Sequence, residues 1–249
     1  MDFGIKGKTA LVMASSQGLG RAVAEGLASE GCKVIICARN VEKTTRVATE
    51  ISEHYGVEVI AVSADVSTGE GRRALLKQGS EAGGIDILVT NSGGPAPGGF
   101  GDFSNDDWAL AYKLVFESVL EMVRGTLPHM QSQGWGRIIA INSVCVKEPI
   151  NGLTLSNGLR PAVSGMLRSL ANEVADQGIT VNNVLSGYHN TERVIELGLG
   201  DAALEGIPMK RMGEPRELAA AVSFLASQQA SYITGASLPV DGGSTRSLL

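Results

Sequence analysis

Cysteine is sparse and does not group. Cys32, Cys37 and Cys145 are odd in number and widely spaced, which argues against a disulfide framework and gives no zinc-ligand spacing. Free, buried thiols and no metal site are expected. A dense Lys/Arg cluster is also missing from a chain of net charge −5, so there is no electrostatic footprint for a nucleic-acid backbone or an anionic membrane. Neither is an expected partner. The opening MDFGIKGKTALVM holds an apolar run too short for a membrane span and unlike a secretory leader, so a cytoplasmic location is expected. Low-complexity sequence is scarce as well. What is present is 249 residues with 43% hydrophobic side chains and 32 glycines, enough for one domain with a sizeable core and many tight turns.

Short apolar runs recur at 10–13, 34–37, 59–62, 85–89, 138–141 and 179–185 and read as strands buried on both faces. Helical spacing lies between them. Leu19, Val23 and Leu27 form one apolar stripe, and Met166, Leu170 and Val174 another. Alternation of this kind predicts an α/β fold, a single-domain doubly wound parallel sheet (Rossmann-like) with helices on both faces. In such folds ligands sit beyond the carboxyl ends of the strands.

After the first strand comes Ala14-Ser15-Ser16-Gln17-Gly18-Leu19-Gly20, then a helix. Gly18 and Gly20 would let the backbone approach a pyrophosphate at the helix N-terminus, although a plain tight turn needs glycine too. The second strand ends Cys37-Ala38-Arg39-Asn40, with no carboxylate to accept from a ribose 2′-hydroxyl. Arg39 suits a 2′-phosphate, whose oxygens its planar fork can bind in a bidentate way; a solvated arginine at a helix start is the plainer alternative.

Over about residues 5–243 the order of motifs resembles the short-chain dehydrogenases/reductases. Gly18 and Gly20 match that family's phosphate loop, whereas Met13 and Ala14 replace its usual Thr and first Gly. Asp65-Val66 resembles the adenine-contacting pair, and Thr90-Asn91-Ser92-Gly93 the turn after the fourth strand. Ser186-Gly187-Tyr188-His189-Asn190-Thr191 is similar to the segment above the nicotinamide, and 207–215 to the lid-to-helix segment. The resemblance implies NADP(H) held by Ser15, Ser16, Gln17, Gly18, Leu19, Gly20, Arg39, Asn40, Asp65, Val66, Asn91, Gly93, Arg160 and Thr191, a substrate lid at about 188–213, and a homotetramer acting on a small molecule. Taken singly, Asp65 reads equally as a helix-capping turn residue, and Asn91 and Gly93 as structural turns.

The family's four catalytic positions are an Asn, a Ser and a Tyr-x-x-x-Lys pair. Here they hold Val115, Ser143, Ser156 and Arg160. The four-residue spacing keeps Ser156 and Arg160 on one helix face. A serine hydroxyl lacks the acidity of a phenol, and Arg160 keeps the charge of the lysine but not its proton. Tyr188 or His189 could supply that proton or simply wall the pocket, with Lys147 a weaker candidate. Pro161 should delay or kink its helix. His54 and His129 read as surface residues, Trp108 and Trp135 as packing, and Gly93–Gly99 as the substrate entrance. Three functions fit: NADP-dependent reduction of a 3-oxoacyl- or ketone-like carbonyl, reduction of an activated C=N or C=C, or cofactor binding with little turnover.

Overall fold

In a computed structural model, which describes residues 2–192, 194 and 204–248, seven parallel strands form one sheet. They are β1 (Thr9–Val12), β2 (Lys33–Ala38), β3 (Val59–Ser63), β4 (Ile87–Thr90), β5 (Gly136–Ser143), β6 (Ile179–Ser186) and β7 (Ser237–Val240). Their order is β3-β2-β1-β4-β5-β6-β7. All six expected runs are strands, and β7 adds an edge. Full burial on both faces holds for β1 and β4, whereas β3 is half-exposed, because it pairs on one side only.

Helices α1 (Gly18–Ser29), α2 (Val41–Tyr55) and α7 (Pro215–Ala226) cover one face of the sheet. The opposite face carries α3 (Gly69–Glu81), α5 (Ser118–Gln133) and α6 (Thr154–Val174). Two cores result. Val12, Val23, Leu27, Ile36 and Val222 belong to one, while Leu11, Leu75, Met122, Ile138 and Leu167 belong to the other. Alternate strand residues point to opposite faces, so consecutive Leu11 and Val12 serve different cores.

Two expectations need correction. The buried stripe of α6 is Val163, Leu167, Ala171 and Val174; Met166 and Leu170 flank it half-buried, since neighbouring rows on a helix differ by one residue in register. Pro161 neither delays nor interrupts α6, which runs unbroken from Thr154 to Val174.

Between β4 and α5 the chain forms α4 (Asn105–Tyr112) and then a π-turn at Lys113–Glu117. Ser118 supports that turn: its N–H reaches Lys113 O, and its buried hydroxyl donates to Leu114 O at 2.6 Å. No helix among the described residues is long and apolar enough to cross a membrane.

Candidate active site

The strand order reverses between β1 and β4, and the crevice beyond their carboxyl ends is the expected ligand position. Ala14 leaves β1 in a left-handed conformation, φ 48°, at the position where glycine was missing from the motif. Asn91 Nδ2 donates to its carbonyl at 3.2 Å. Gly20 is required here, because a Cβ would lie 2.4 Å from Ala14 O. Helix α1 has neither a side-chain cap nor an acidic first turn, unlike α2, α3 and α4, which are capped by Asn40, Thr68 and Ser104. Its first N–H groups therefore remain open to an anion. Thr191 overhangs this loop, with Cγ2 3.5 Å from where a Gly18 Cβ would stand.

Side chains in the loop have different fates. Ser15 is fully buried, its hydroxyl donating to Val12 O at 2.7 Å and accepting from Cys37 N–H at 3.1 Å. That hydroxyl ties β1 to β2. Gln17 is exposed and accepts from Lys43 Nζ. Asn40 Oδ1 accepts from Lys43 N–H at 2.8 Å as the α2 cap, so its side chain already has a structural use. Lys43 was not singled out in the sequence, yet it places a cation against Gln17 of the glycine loop. The signal was Asn40 followed three residues later by lysine, a capped first turn that aims back at the glycine loop.

Asp65 accepts from the hydroxyl and N–H of Ser67 at 2.7 and 2.9 Å. The Ser67 hydroxyl is the main force holding its carboxyl below the ordinary value, with the charge of Arg39 adding to it. Val66 is buried, and its carbonyl accepts from Arg72 Nη1 at 3.0 Å.

At the other end of the crevice Asn142, 3% exposed, is a hub. Its Nδ2 donates to Arg160 O at 3.2 Å and Ser164 Oγ at 3.1 Å, while its Oδ1 accepts from Ser143 N–H at 3.0 Å and Arg160 Nη1 at 3.5 Å. Sequence reading passed over this asparagine because it sits inside an apolar strand. Ser143 Oγ accepts from Cys145 N–H at 3.3 Å, and the Cys145 thiol faces Ser156 O at 3.7 Å. Cys145 thereby joins the end of β5 to α6, and Ser143, Ser156 and Arg160 are brought into one cluster.

No carboxylate pairs with Arg160 among the described residues. Burial pushes its guanidinium down, opposed by Cys145. Burial also raises the Cys145 thiol, against the Ser143 hydroxyl and the Arg160 charge. A small cavity beside this cation is lined by Thr90, Asn91, Val115, Asn142, Arg160 and Val163. The Thr90 hydroxyl is buried there without a partner.

No hydrogen bond joins the half-buried Tyr188 ring to this cluster; its backbone carbonyl accepts from Gly213 N–H at 3.0 Å. His189 is buried against Gly213, with Nδ1 3.2 Å from Gly187 O and Nε2 unpartnered. Lys147 is half-buried. The Gly93–Gly99 run is irregular and stitched to the start of α6, with Gly98 N–H donating to Gly152 O at 2.6 Å and Gly98 O accepting from Thr154 N–H at 3.2 Å. Of the suggested lid at 188–213, residues 193 and 195–203 lie outside the described residues.

His54 is exposed as expected, but His129 is half-buried, its Nε2 3.4 Å from Asp86 Oδ1. The apolar spacing of α5 did not reveal that partner on β4's approach. Trp135 packs between Lys8 and Arg137, whose cations lie 4.2 and 4.4 Å from its ring. Trp108 packs over Gly158.

Residues 13–245 match the adh_short_C2 family model, described as enoyl-(acyl carrier protein) reductase. The chain is 35% identical to the 3-oxoacyl-[acyl-carrier-protein] reductase FabG of Aquifex aeolicus over 98% of its own length and 99% of that protein's. It is 30% identical to the NADPH-dependent reductase BacG of Bacillus subtilis, covering 97% and 99%. Its fold is similar to that of L-sorbose reductase from Gluconobacter frateurii complexed with NADPH and L-sorbose, at TM-score 0.96 and 33% identity over all of both chains.

Proposed function

The chain belongs to the short-chain dehydrogenase/reductase family, and from that premise we propose that it is an NADPH-dependent reductase of a ketone-type carbonyl, with 3-oxoacyl compounds among the substrates to try. The observation that carries this reading is the carboxylate-free Arg160 tied through Asn142 to Ser143. Bound NADPH supplies a hydride. Its diphosphate fits the open α1 N-terminus over Gly18 and Gly20, and Arg39 with Lys43 offers two cations for the 2′-phosphate.

Ser143 Oγ already accepts from Cys145 N–H, so its own proton is free to donate to a substrate oxygen. Arg160 adds a fixed positive charge in a low-dielectric position as negative charge grows on that oxygen. Such preorganised donors act without reorganising during reaction. Proton supply is where this chain departs from its family. A phenol near pKa 10 is replaced by an alcohol about as weakly acidic as water, which is far harder to ionise. Ser156 therefore holds position rather than giving the proton. Water or the unpaired Tyr188 hydroxyl delivers it, and Tyr188→Phe separates the two.

The missing phenol also favours a second reading, reduction of an activated C=N or conjugated C=C, where hydride transfer depends less on a strong acid. The decisive experiment follows NADPH consumption against ketones, quinones, imines and enones, with Ser143→Ala and Arg160→Ala alongside. Carbonyl turnover that both variants impair is the expected result. Tight NADPH binding without turnover on any substrate would leave a cofactor-binding protein instead. The family resemblance further supports a cytoplasmic homotetramer, which sedimentation equilibrium tests directly.

A further inference from the structure

Arg72 lies in the first turns of α3 and is 3% exposed, yet it belongs to neither cluster described above. Its three nitrogens go to three places. Nη1 donates to Val66 O at 3.0 Å, Nη2 to Glu117 Oε2 at 2.9 Å, and Nε to Glu121 Oε2 at 2.5 Å. Val66 follows Asp65, whose carboxylate feels Arg39. Glu117 closes the π-turn, and Val115 at the middle of that turn walls the cavity beside Arg160. One rigid fork thus bridges the adenosine side of the crevice and the turn behind its reacting side.

A π-turn is one residue wound into a helix against the usual register, and such turns hold only where something compensates the altered bonding. Two groups do so here. Ser118 covers Leu114 O from inside the helix, and Arg72 holds Glu117 from outside. Relaxation to α-helical register would rotate Val115 by about 100° away from the wall. A turn with two such registers open to it is the kind of element that coupling between sites requires.

We propose that Arg72 is a positioning residue that couples occupancy of the adenosine end of the cofactor site to the register of the π-turn at 113–117. This rests on the cofactor placement of the preceding section. Lysine could not replace it, because a point charge cannot serve three separated acceptors in a fixed plane.

The test uses adenosine 2′,5′-bisphosphate, a probe with no nicotinamide, on the full-length protein. Binding is measured by calorimetry, and hydrogen exchange is followed at 112–119. In the wild type the probe should slow exchange there by about fivefold or more. Arg72→Met and Glu117→Ala should both keep probe binding and lose that response; Glu117→Ala removes only the turn-side acceptor at a half-buried position, so it guards against misfolding of the Arg72 variant. The kinetic counterpart is a fall in kcat with little change in KM for NADPH, only partly restored by Arg72→Lys. A bound probe without protection at 112–119, or protection that persists in Glu117→Ala, overturns the coupling. Failure of the probe to bind the wild type would instead remove the adenosine site, and the coupling with it.

Discussion

Ser15, Gln17 and Asn40 sit within one crevice wall, and each uses its side chain differently: a buried strand tie, a lysine partner and a helix cap. That leaves Arg39 and Lys43 as the cations proposed for the 2′-phosphate. Arg39→Ala and Lys43→Ala should each weaken NADPH binding by roughly 10- to 100-fold, in line with about 1.5–3 kcal/mol for a charged hydrogen bond, and leave NADH binding unchanged. Parallel titrations check this. Ser143→Ala should lower kcat by about 10²- to 10³-fold, the scale of one lost oxyanion donor, without altering NADPH affinity. His189 gives a pH prediction. Burial holds it below the usual value of about 6.5, opposed by its Gly187 bond and by Glu217, Asp241 and Glu214. The unfolded chain then takes up the proton more readily, so stability is complete above about pH 6.5 and declines as pH falls below it. His189→Gln should flatten that decline in urea midpoints.

At the scale of elements, backbone approach decides more than side-chain chemistry. Gly20→Ala would drive a methyl into the Ala14 carbonyl, and cofactor binding should be lost with it. Ser118→Ala should reduce stability by about 1 kcal/mol, the worth of one buried hydrogen bond, and raise exchange in the π-turn. Strand positions were legible because parallel strands covered by helices read as continuous apolar runs. The π-turn was not, since nothing in LAYKLVFES marks an extra residue per turn. Pro161 was misread for a related reason: a missing N–H forfeits one helical bond, but the packing of Val163 and Leu167 against the sheet outweighs it.

On the scale of the whole molecule, the site is assembled from residues far apart in sequence, and legibility followed that distance. Ser143, Ser156 and Arg160 were singled out as candidates by resemblance to a family pattern of fixed spacing. Their connectors could not be, because Asn142 and Cys145 have meaning only once β5 lies beside α6. Lys43 and Arg72 act likewise across crossovers that periodicity does not encode.

All three thiols are buried, with Cys32 and Cys37 raised to about 12 by desolvation. Their positions differ in a useful way: Cys32 precedes β2 and Cys37 lies within it, each in a different core, whereas Cys145 lies in the joint between Ser143 and Ser156. Alkylation kinetics become a clock with separate hands. Modification of Cys145 should report opening of the joint alone and slow when NADPH is added, while Cys32 and Cys37 should label only as fast as the entire sheet comes apart.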